Sequence, residues 1–149
     1  MSERDIEDVW YDYALTFVEK KNTSEQGWAA LSRTEQEIAA LWLFEADVYN
    51  GGFIQFFCNW GERVYTTACG ALQAIGAKQV LDNIKEQYAC IAHLADDDRL
   101  TALWDIPRYL EAAQEERLDE LDQQLWNNED QVAEKAYAYY REQLPIDPK

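Results

Sequence analysis

The chain is predicted to fold as one all-α domain of about six to eight helices, and three observations lead there. Apolar residues recur at the three- and four-residue spacing of a helix face almost throughout. No stretch of strict alternation competes as a strand. Three prolines and six glycines among 149 residues leave little turn material for a many-stranded sandwich. The composition, 48% hydrophobic with six Trp, is far too apolar for a disordered chain.

Ile6, Val9, Trp10, Tyr13 and Phe17 mark a first helix near residues 5–20. "KNTSEQGW" breaks the pattern as a loop. Ser32 with Glu35 three residues later resembles a capping box. Behind it, Ile38, Leu41, Trp42 and Tyr49 face inward on a helix near 33–49. Asn50 and Gly51 are its stop signal, with Gly51 in the left-handed position. A short apolar helix follows at 53–59, then one near 62–75 ended by Gly76, then one near 77–94. "ADDDR" reads as a loop or a helix start, and Pro107 as the first turn of a helix running to about 126. Leu110, Leu118, Leu121 and Leu125 face one way on it. Asn127 and Asn128 are positioned to cap a last helix, with Val132, Ala136, Tyr139 and Tyr140 inward and Pro145 and Pro148 beyond. No linker or internal repeat divides residues 1–149.

Charge is the second signal. Twenty-nine acids against thirteen bases give −16. Residues 1–50 carry net −7, residues 51–95 net zero and residues 96–149 net −9, so the middle block reads as the packing centre. In the stretch 111–134, nine acids stand against Arg117. Glu111, Glu115, Asp119 and Asp122 fall on one helical stripe, with Glu116 and Glu120 beside it. Asp96, Asp97 and Asp98 are a second cluster. Like charges at i, i+4 cost a few tenths of a kcal/mol each, so helix stability alone would favour interleaved lysines. Such a surface repels nucleic acid and anionic membranes and suits a basic protein. Two meanings stand side by side: a solvated face that aids solubility, and an imitation of a phosphate backbone.

Enzyme chemistry finds little support. "NGG" is neither a P-loop nor part of a GxGxxG turn. His93 is the one histidine; three acids behind it do not make a transition-metal site or a calcium loop. Cys58, Cys69 and Cys90 include no CxxC pair and read as packing residues or surface thiols. No metal, cofactor or catalytic residue is expected. No apolar run approaches the roughly 20 residues of a membrane helix, and the acidic N-terminus lacks the order of a signal peptide. The expected location is the cytoplasm. Glu45 lies on the apolar side of its helix and is expected to accept hydrogen bonds from the free N–H groups around Gly52 to Gln55.

Asn50-Gly51-Gly52-Phe53, then Gln55-Phe56-Phe57 and Asn59, resembles the signature of the bacterial DNA-mimic protein family. Glu45 fits an acid that precedes the glycines there, and "ALQAIGA" resembles a helix–Gly–helix step. The likeness runs from about 35 to 95. It implies an all-helical fold, no catalytic residues, often a homodimer, and an acidic surface that occupies the DNA-binding site of a transcription factor. Mimicking residues are not carried over by motif. The acidic candidates come from the charge map. An acidic immunity-type module neutralising a basic partner is the alternative, and a hydrolase using His93 the third.

Overall fold

The computed structural model describes residues 3–95, 97–127 and 130–141, with the backbone alone for 3–5 and 95. The fold is all-α, as predicted, and no strand occurs among the described residues. The helices are α1 (Glu3–Thr23), α2 (Arg33–Ile75), α3 (Lys78–Ala95), α4 (Ala112–Trp126) and α5 (Val132–Tyr140). Two 3-10 segments, Gly27–Ala30 and Leu103–Tyr109, join them. Pro107 lies inside the second of these rather than opening α4.

The central element is α2, which touches every other helix. It begins at the predicted capping box: Ser32 Oγ accepts from the Glu35 amide (3.2 Å), and Glu35 Oε1 accepts from the Ser32 amide (2.9 Å). It is one continuous path broken at two glycines, Gly52 (φ 85°, ψ −179°) and Gly61 (φ 82°, ψ −174°). Gly51 is not among the glycines of positive φ, so the inverted residue of the pair is Gly52, not the predicted Gly51. Gly76 ends α2 in the left-handed conformation, with its own amide reaching the Gln73 carbonyl and that of Ala77 reaching Leu72.

The motif builds the core. Phe53, Phe56 and Phe57 are fully buried. Phe56 meets Phe44 edge-on at 5.3 Å, Phe53 meets Tyr65 edge-on at 5.7 Å, and Tyr65 stacks on Tyr88 at 4.5 Å. Such geometries add to the burial of large apolar area. The neutral middle block is thus the packing centre.

α1 lies against α2 and α5. Its buried line is Trp10, Ala14, Val18 and Lys21, rather than the larger Tyr13 and Phe17, which flank it half-buried. Lys21 is tolerated there because Trp28 and Trp60 face its ammonium at 5.2 and 4.9 Å. On α4, Leu118, Leu121 and Leu125 are buried as expected. On α5 the inward tyrosines are Tyr137 and Tyr140, while Tyr139 is exposed. Asn127 ends α4 and does not start α5, whose N-cap is Gln131. Asn128, Pro145 and Pro148 lie outside the described residues.

Candidate partner-binding surface

α4 displays its acids unequally. Glu111, the N-cap, and Glu115, Glu116 and Asp119 are exposed, and none of the four pairs with a cation among the described residues. Glu120 is exposed but held: Arg117 donates to it at 3.0 Å while also donating to Glu86 of α3. From Glu115 to Asp119, three carboxylates without cation partners span about 6 Å of helix rise, a mean spacing of ~3 Å. A single DNA strand carries one charge per ~3.4 Å of axial rise.

Asp122 does not share that display. It is half-buried, and its Oδ1 accepts from the Phe53 amide at 3.0 Å and from Gln87 Nε2 at 3.1 Å. It therefore satisfies the backbone donor that opens the segment after Gly52. Burial pushes its carboxyl pKa up, against these two hydrogen bonds. The sequence stripe placed it with the outward acids, yet it stands one turn from both Leu118 and Leu125, at the edge of the apolar face.

Nor is Glu45 the acceptor for those amides. It is 3% exposed, and its Oε2 accepts from the Tyr11 hydroxyl at 2.8 Å. Its Oε1 and the nearby Trp10 Nε1 are sealed from solvent and form no bond of regular geometry, yet the indole stands close enough to favour the charged carboxylate. Burial raises the Glu45 pKa to about 7, against the opposing pull of Tyr11 and Trp10. The Tyr11 hydroxyl is pushed well up, by burial first and then by Glu45.

The remaining polar motif residues are engaged in hydrogen bonds within the fold. Asp47, which sequence reasoning missed, is their hub: it accepts from Gln55 (3.0 Å), Asn59 (3.2 Å) and Trp60 (2.8 Å). Asn50 donates to Gln55 at 3.1 Å, and Asn59 accepts from Trp104 at 2.9 Å. One acid amid three donors two and three turns away is the signal that was available.

In the second acidic cluster, Asp97 is committed to Arg99 through two contacts of 2.9 and 2.7 Å, which hold its pKa down to about 2. Asp98 is exposed, and Asp96 lies outside the described residues. No group of three or more His, Cys, Asp or Glu suited to a metal occurs among the described residues. None of their helices is long and apolar enough to cross a membrane. α1 adds exposed Asp8 and Asp12, one turn apart, which the charge map did not single out.

The fold and this surface define an all-helical protein that presents unpaired carboxylates on one outer helix. The chain belongs to the DMP19-like protein family, whose model matches residues 29–143. That span is wider than the 35–95 stretch carried by the motif and takes in α4 and α5. No curated protein and no solved structure matches the chain.

Proposed function

We propose that this protein is a DNA mimic that binds the DNA-contacting surface of a basic DNA-binding protein, such as a transcription factor, and competes with DNA for it. The observation that carries the reading is the α4 row of Glu115, Glu116 and Asp119, exposed and without cation partners. Membership of the DMP19-like family supports it. Glu111 and the exposed Asp98 extend the same sign of charge, and Glu120 joins if the partner's cations displace Arg117. The role needs charge spacing and no catalytic group.

The mechanism is competition. Carboxylates at phosphate-like density engage Arg and Lys side chains and steer encounter through a long-range field that salt screens. A pull-down from the source lysate tests it. The expected capture is a basic protein retained at low salt and displaced by duplex DNA. The variant Glu115→Lys, Glu116→Lys, Asp119→Lys should lose that capture with its helical circular dichroism intact. If duplex DNA does not displace the captured protein, the reading is wrong.

A further inference from the structure

Between α1 and α2 lies a hollow of about 230 Å3 lined by Tyr11, Trp42, Glu45, Ala46 and Tyr49. It is smaller than the roughly 300–1,000 Å3 of ordinary small-molecule sites. Its walls are three aromatic rings, and the Glu45 carboxylate lies behind them, sealed from solvent and without a counter-ion. Glu7, one turn before Tyr11, adds a second negative charge whose field reaches Glu45, Tyr11 and Tyr49. No Lys or Arg among the described residues pairs with Glu45.

We propose that this hollow receives one lysine or arginine side chain of the basic protein that the acidic surface binds. The proposal rests on the DNA-mimic reading and names a second contact for it. Aromatic faces attract cations within about 6 Å, more strongly where water is excluded. A carboxylate held without a counter-ion in an apolar setting is costly, and an incoming cation relieves that cost. The same chain already builds such a cage for itself, closing Trp28 and Trp60 on Lys21. The acidic helix is tied to the segment that bears Tyr49. Trp126, at the end of α4, donates to the Val48 carbonyl at 2.7 Å, beside Tyr49. Tyr49 and Trp126 are 42% and 44% exposed, two large aromatic surfaces open to a partner, as interface anchors are before binding.

The test uses n-butylguanidinium as probe on the full chain at pH 8 and fixed ionic strength. Indole N–H resonances report occupancy. Trp42 and Trp10 signals should shift saturably, and 1-butanol at equal concentration should leave them unmoved. Glu45→Gln should weaken the probe at least tenfold. Tyr49→Leu, a change at an exposed position, should weaken it severalfold and serves if Glu45→Gln fails to fold. In the lysate pull-down, both variants should need less salt to release the DNA-displaceable partner. Equal probe binding by the variants, or equal response to 1-butanol, overturns the proposal. Partner release at unchanged salt overturns it too, while leaving the α4 reading standing. Failure to capture any DNA-displaceable partner overturns the mimic reading, and with it a partner side chain as the occupant.

Discussion

Glu45 offers the sharpest quantitative test of how this fold is held. Its carboxyl pKa rises from the ordinary 4.5 to about 7 because burial penalises the charged form more than Tyr11 and Trp10 favour it. The folded state therefore binds this proton more tightly than the unfolded chain does. For an acid shifted upward, the linked stability is fully present below 4.5 and is lost as pH rises through 7. At about 1.4 kcal/mol for each tenfold in proton affinity, the whole loss is about 3 kcal/mol, most of it between pH 5 and pH 8. Glu45→Gln removes the titration but keeps an acceptor for the Tyr11 hydroxyl. Other acids repel one another in both proteins, so the difference between them isolates this site. Urea unfolding at pH 5, 6, 7 and 8 should show the variant gaining roughly 2–3 kcal/mol relative to the parent across that range. A constant offset is allowed, since the new amide nitrogen faces the Trp10 indole. A difference that stays flat within about 0.5 kcal/mol would refute the reasoning.

Two further outcomes concern the glycine corner. Gly52→Ala should destabilise by about 3 kcal/mol, because an L residue at positive φ costs ~1–2 kcal/mol and its Cβ would strike the Asp122 carboxylate that caps Phe53. Gly51→Ala should stay within about 1 kcal/mol of the parent, because the atoms in its way belong to the Gln55 side chain. Thermal melting ranks the two, and the opposite ranking would place the break at Gly51. Asp122→Ala strands the Phe53 amide and one bond of Gln87 and should cost about 1–3 kcal/mol by urea unfolding. Asp122→Asn keeps an acceptor and should cost less. Equal losses would mean that the charge, not the acceptor, holds the corner.

What the sequence makes legible follows from what is local. A helix face, a capping box and a helix-ending glycine are decided within one or two turns, so α1 to α5, the Ser32–Glu35 box and Gly76 can be read directly. Pairings across the chain are not decided there. Which carboxylate caps Phe53 depends on a contact 69 residues away, and Asp122 and Glu45 are equally suited by chemistry. Likewise, Tyr11 reaches Glu45 across 34 residues, and nothing near either one announces it. The core line of α1 was misjudged for a different reason. Ala14 adds little apolar size to the pattern yet is buried one turn after Trp10, whereas Tyr13 and Phe17 stand beside that line, half-buried, and pack edge-on against each other at 5.1 Å.

The acids of this chain therefore do two jobs, and the distinction bears on function. Asp47, Asp122 and Asp130 accept from donors fixed by the fold; Asp130, 5% exposed, takes the Val80 amide at 2.8 Å at the start of α3. These are unavailable to a partner. The exposed row on α4 has no such role and works against its own helix, since a handful of like-charge neighbours costs on the order of 1 kcal/mol. Burial of Leu118, Leu121 and Leu125, at about 1.5–3 kcal/mol each, outweighs that several times over. The helix is held by its inner face, and its outer face is released from any need for balancing lysines. A surface can then be as acidic as a binding partner requires, because the core and not the surface keeps it helical.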